Sequence, residues 1–169
     1  MFTLKYEALE KGYGYIHVIV NGKNISEYLY NGGIYYGMCR ISELIDWIND
    51  NLKYILSDDP FPVKTNAETG TDMWLYSDNC IPENYEKSMT FHEKRQNWIW
   101  HHSMDTCKDE FCMPFIVFRK VGDDIEISWN NIDHNYKDVD FRYKYGVYYL
   151  NLDDFKSELY NFIKFHKAT

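Results

Sequence analysis

The sequence predicts an α+β fold, a mainly antiparallel sheet with about three helices packed on it, in the order β-β-β-α-α-β-β-β-α. Three observations carry this. Tyr15-Ile16-His17-Val18-Ile19-Val20 runs straight into Asn21-Gly22, the pattern of a two-residue hairpin turn. Phe115-Ile116-Val117-Phe118-Arg119-Lys120 and Ile125-Glu126-Ile127-Ser128-Trp129 flank Gly122-Asp123-Asp124 as a second hairpin. Ile41, Leu44, Ile45, Ile48, Leu52 and Ile55, and again Leu152, Phe155, Leu159, Phe162 and Ile163, recur with helical period. At 169 residues the chain reads as one domain over 1–169. A chain of this size buries about 68–70% of its unfolded surface, so its core needs no disulfide or metal.

Residues 2–6 alternate as a first strand, broken at Gly12-Tyr13-Gly14. After Asn21-Gly22 a short strand is expected near Lys23–Ile25, with Tyr28-Leu29-Tyr30 extending the apolar surface up to Asn31-Gly32-Gly33. Ser42 is placed to cap the first helix. That helix must end before Asp58-Asp59-Pro60-Phe61-Pro62, because proline removes amide donors. Residues 64–82 read as the longest loop, and a second helix is expected over about 84–104 without a clean apolar stripe. Ile125, Ile127 and Trp129 share one strand face and Glu126 and Ser128 the other, which predicts a sheet wet on one side. A polar loop over 131–140 leads to Phe141–Tyr145 and Val147–Leu150, with a bulge expected at Gly146. Asn151 is placed to cap the last helix; Asp153 and Asp154 oppose its positive end, and Lys164, His166 and Lys167 suit its negative end.

The net charge of −8 argues against diffuse nucleic-acid binding, which needs clustered Lys and Arg. It favours solubility and steering toward basic partners, such as nucleic-acid-processing proteins. Aromatic residues make up 18% of the chain; Tyr in particular suits half-wet surfaces and interfaces. AT-rich codon usage would enrich Tyr equally. Cys39, Cys80, Cys107 and Cys112 form no CxxC pair, and no secretory leader or membrane span is read, so reduced thiols in the cytoplasm are expected.

The densest unusual chemistry lies between Trp98 and Trp129. His101, His102, Cys107 and Cys112 are the residues a zinc site would draw on, but adjacent helical His side chains diverge by about 100°, and no metal or cofactor is assigned. A Cys/His enzyme using Cys107 or Cys112 with His101 or His102, helped by Asp105, lacks any sign of an oxyanion hole. His92-Glu93-Lys94-Arg95-Gln96 departs from HExxH at its second ligand position, so it reads as a charged helix face. The acid pairs at 58–59, 123–124 and 153–154 have structural explanations in turns and a helix start, so no general acid/base pair is assigned.

The pattern Trp98…His101/His102…Pro114–Arg119…Gly122-Asp123…Ile125–Trp129, followed by a capped C-terminal helix, resembles a module of bacterial ImmA/IrrE-type peptidase proteins that lies outside their peptidase domain. The resemblance extends back to Ile41–Pro62 and covers roughly two-thirds of the chain. The chain lacks the HExxH motif of the peptidase. The resemblance therefore implies an accessory, recognition-type module in a stress-response or phage-defence setting.

The expected function is a non-enzymatic, acidic, cytoplasmic protein that binds another protein as an inhibitor or immunity-type partner, in a defence, toxin or phage counter-defence setting. A basic nucleic-acid-processing protein or a toxin is the expected partner; neither nucleic acid nor membrane is expected as one. Expected contacts are Tyr28, Tyr30, Tyr35, Tyr36, Trp74 and Tyr76, with Asp58, Asp59, Asp123 and Asp124 for steering. The alternative is a small-ligand sensor whose pocket is lined by Trp98, His101, His102, Arg119 and Trp129.

Overall fold

The computed structural model describes residues 1–107, 110–132 and 137–167, and the polar loop expected over 131–140 falls partly outside them. The strands are β1 (Phe2–Ala8), β2 (Tyr13–Val20), β3 (Lys23–Asn24), β4 (Glu27–Tyr30), β5 (Gly33–Tyr36), β6 (Met38–Arg40), β7 (Ile116–Val121), β8 (Asp124–Asn130), β9 (Asp140–Phe141) and β10 (Tyr145–Asn151). The helices are α1 (Ile41–Ile55), α2 (Gly70–Ser77), α3 (Tyr85–His102) and α4 (Leu152–Lys167). The fold is α+β, as the sequence predicts, with three antiparallel sheets in place of one. β1-β2-β3 with β6 on β2, β10-β8-β7, and β5-β4-β9 are the three.

The alternation of β2 puts Ile16, Val18 and Val20 on one buried face, and the opposite residues stay half-buried. Those side chains meet α1, α4 and the inner face of β7–β8 in the main core. Phe2, Phe118 and Phe155 interlock there, with ring centroids 5.4 to 6.2 Å apart. Asn151 caps α4 by accepting from the Asp153 amide at 2.9 Å. Asn84 does the same for α3, accepting from Lys87 at 3.1 Å.

Four expectations are corrected. The stretch 64–82 contains helix α2, started by Thr69, whose hydroxyl accepts from the Asp72 amide at 3.2 Å. Helix α1 begins one residue before Ser42, with Arg40 at its N-cap and no side-chain cap. Gly146 is no bulge: the β10–β8 register is unbroken from Tyr145↔Asn130 to Asn151↔Asp124. A Cβ at Gly146 would lie 2.2 Å from Trp129, so the glycine makes room for the indole ring. Finally, the second face of β8 is not wet. Glu126 and Ser128 are fully buried because the start of α2 docks on them.

Candidate functional site

Along α1, Glu43, Asp46, Trp47, Asp50, Asn51 and Tyr54 fall at spacings of three and four, which stacks them in one stripe. The C-terminal turn of α3 brings Trp100 and His101 opposite this stripe, and the following turn brings Thr106. A cleft of about 590 Å³ lies between them. Its floor is fixed by polar contacts. Trp47 Nε1 donates to Thr106 Oγ1 at 3.1 Å, and Asn51 Nδ2 donates to the Trp47 carbonyl at 2.9 Å. The Asn51 amide group being so engaged, its Oδ1 faces His101 Nδ1 at 2.8 Å and assigns the ring proton to that nitrogen. His101 also stacks on Tyr54, with centroids 3.7 Å apart and planes 15° from parallel. Burial lowers the His101 pKa; Asp59 opposes this and Lys53 adds to it, so the imidazole is neutral at pH 7.

The cleft walls carry Glu43, Asp46 and Asp50 against a single ammonium, Lys53, which sits 4.8 Å from the Tyr54 ring centroid. None of the three acids forms an ion pair among the described residues. Trp100, 54% exposed, stands at the rim. Unpaired carboxylates beside exposed aromatic faces suit a cation brought by another molecule. Asp46 and Asp50 are legible in the sequence as the outer face of α1. Their meeting with Trp100 is not, because some fifty residues separate them.

The expected pocket residues separate. Trp98 and His102 stack at 4.3 Å and are buried, and Trp98 Nε1 donates to the Asp59 carbonyl at 3.0 Å. His102 Nδ1 lies 2.9 Å from the Trp98 carbonyl oxygen, while its Nε2 has no hydrogen-bond partner and lies 3.8 Å from Asp59 Oδ2. Burial lowers its pKa. Arg119 is clamped to Glu126, and Trp129 is buried over Gly146. Of the five, His101 alone lines the cleft.

The zinc candidates separate as well. His101 engages Asn51, and His102 engages Trp98. The Cys107 and Cys39 thiols hydrogen-bond to each other, and Cys112 pairs with Tyr28. Among the described residues, no group of three or more His, Cys, Asp or Glu is placed to hold a metal ion. The bond to Cys107 and burial push the Cys39 thiol far up, and burial raises Cys112, so both are protonated at neutral pH.

The expected partner contacts fall on three regions. On the β4–β5 hairpin Tyr30 and Tyr35 are exposed, whereas Tyr36 is half-buried against His17 at 4.3 Å. Tyr28 is buried with Cys112 and Phe141, which corrects it from contact to core. Asp58 is exposed and pairs with Lys120 at 3.0 Å, while Asp59 is half-buried; Asp123 and Asp124 are exposed at the β7–β8 turn. On α2 Tyr76 is exposed, but Trp74 lies under the Arg95 guanidinium at 4.0 Å, so its face is already occupied.

One buried constellation shares only Arg119 with the sequence-derived candidates. Glu126 takes two hydrogen bonds from Arg119, at 2.6 and 3.0 Å, and one from the Gly70 amide at 2.7 Å. Ser128 Oγ accepts from Thr71, and Asp72 takes Tyr145 Oη at 2.9 Å and Asn130 at 3.3 Å. These contacts anchor α2 to the sheet.

Compared with known proteins, the chain matches no family model, no curated protein and no solved structure. Among the described residues, no helix is long and apolar enough to cross a membrane.

Proposed function

We propose that the protein is a non-enzymatic, cytoplasmic binding protein that presents the α1–α3 cleft to a basic surface of another protein. In this reading it acts as an inhibitor or immunity-type partner in a defence, toxin or phage counter-defence setting. The carrying observation is the row Glu43, Asp46 and Asp50, unpaired beside exposed Trp100. Such a row attracts Lys or Arg from a partner, and the net charge of −8 steers a basic partner in. A nucleic-acid-processing protein, or a toxin that acts on nucleic acid, offers such a surface, because it must itself bind phosphate. A recognition role is also what the resemblance to the ImmA/IrrE accessory module implies. The cleft volume of about 590 Å³ supports a second reading, a sensor of a small cationic ligand.

The test is affinity capture from host lysate with the wild-type protein and with Asp46→Lys/Asp50→Lys, at low and high salt. Wild type is expected to retain a stoichiometric basic protein at low salt, and the variant to lose it by about tenfold or more in affinity. Equal capture by both proteins, or no protein on either, overturns the reading; in the second case calorimetry with a polyamine tests the sensor alternative.

A further inference from the structure

His102 closes the last turn of α3, and its ring stands where a hydrogen is missing. Its Nδ1 lies 2.9 Å from the Trp98 carbonyl oxygen. A carbonyl only accepts, so Nδ1 carries the hydrogen and the neutral ring presents Nε2 as a bare lone pair. That nitrogen has no hydrogen-bond partner, and the residue is 1% exposed. It faces Asp59 Oδ2 at 3.8 Å, one acceptor opposite another. Among the described residues the Asp59 carboxylate receives no hydrogen bond either. Asp59 belongs to the connection 57–62, which is strapped across α3 at two points beside this gap. Trp98 Nε1 donates to the Asp59 carbonyl at 3.0 Å, and the Phe61 ring meets the Trp98 ring edge-on at 4.9 Å.

We propose that His102 is a proton-operated latch between α3 and the connection 57–62. In mildly acidic solution Nε2 takes up a proton from solvent and the ring becomes a cation with two N–H donors. The Nδ1 hydrogen stays on the Trp98 carbonyl, and the new Nε2 hydrogen is aimed at Asp59. Drawing the carboxylate in by about 1 Å brings the pair to hydrogen-bond distance and pulls 57–62 onto the helix with it. At neutral pH the lone pair repels the same carboxylate and the latch stands open.

The surroundings divide over the charged ring. Burial opposes it most, and His101 on the same helix and Arg119 on β7 add to that; the Trp98 carbonyl and Asp59 favour it. Arg119 is itself paired with Glu126 of β8, and His101 with Asn51 of α1. The flat stack of His102 on Trp98, 4.3 Å apart and 12° from parallel, gives an imidazolium a cation–π partner. The carboxyl end of α3 favours positive charge as well. Burial prevails, so the ring titrates below the usual 6.5. Asp105, three residues on, is held by Ser103 and titrates at about 6, so bulk acid stability cannot report the latch and the ring must be read directly.

NMR of the imidazole nitrogens, followed from about pH 8 to about pH 4.5, tests this. In wild type the His102 proton is expected on Nδ1 at high pH, with a midpoint below 6.5. The Asp59 carboxyl carbon and the Phe61 amide are expected to move with that midpoint. Asp59→Asn keeps the backbone carbonyl that Trp98 uses and removes the charge. It is expected to lower the His102 midpoint by about 0.5 or more, and the Phe61 amide no longer follows it. Asp58→Asn, whose carboxylate pairs with Lys120, is expected to leave both as in wild type. A neutral ring with its proton on Nε2, a His102 that never titrates before unfolding, or an unchanged midpoint in Asp59→Asn overturns the proposal. So does a Phe61 amide that ignores the midpoint in wild type. If Asp59→Asn does not fold, the wild-type titration decides. An Asp59 carboxyl carbon that follows His102 supports the latch, and one that does not overturns it.

Discussion

At Gly146 the absence of one methyl group decides how β10 meets β8. A Cβ there would lie 2.2 Å from the buried Trp129 ring, so the ring or the strand must shift to accept it. Gly146→Ala is therefore expected to destabilise the protein by about 1–3 kcal/mol in chemical denaturation. The sequence shows a glycine within a strand, but a bulge and a close approach look alike until the ring above it is placed. Asp105 is a second single-residue case. Burial pushes its carboxyl up to about 6, against the opposing hydrogen bond from Ser103 at 2.5 Å. The folded protein thus holds a proton that the unfolded chain releases near the ordinary Asp value. The associated stability is present below that value and is lost as pH rises through about 6. Asp105→Asn keeps the acceptor oxygen and removes the charge. It is expected to melt above wild type at pH 7.5 in calorimetry, with the gap closing toward pH 4; a gap independent of pH would contradict the assignment.

Helix α2 shows what element-scale reading of the sequence leaves out. Met73, Trp74 and Leu75 form no apolar stripe, and the helix is held largely by polar contacts. Thr69 caps it, while Glu126 and Ser128, some fifty-seven residues away, receive the Gly70 and Thr71 amides. The sequence shows Glu126 alternating with apolar neighbours, which is the pattern of a solvent-facing residue. Its burial comes from a segment that periodicity assigns to a loop. Removing one member of a buried ion pair costs about 3–5 kcal/mol. Glu126→Ala leaves the Gly70 amide without its acceptor and Arg119 with only the Glu68 carbonyl, so a loss of that order is expected, together with faster hydrogen exchange at Gly70 and Thr71 than in the core strands. Uniform exchange across the molecule would show that α2 does not depend on this anchor. By contrast α4 was legible throughout, because its cap, its charge gradient and its buried stripe are all local.

For the whole molecule, hairpins and helical periods in the sequence suffice for the α+β class. The division into three sheets does not follow from them, because β6 pairs with β2 and β9 with β4 across long separations. The cleft has the same origin. Asp46 and Asp50 are legible on the outer face of α1, but Trp100, His101 and Thr106 arrive from the end of α3. Acids elsewhere, at Asp123 and Asp124, are just as exposed but sit at the β7–β8 turn, away from that cleft. The central claim is that the cleft, rather than acidity in general, selects a basic partner. The direct measurement is an amide and indole NMR titration with a short Arg-rich peptide at physiological salt. The account predicts saturable shifts concentrated at Glu43, Asp46, Asp50 and the Trp100 indole, abolished in Asp46→Lys/Asp50→Lys. Shifts spread equally over Asp123, Asp124, Asp153 and Asp154, or none at the cleft, would contradict it.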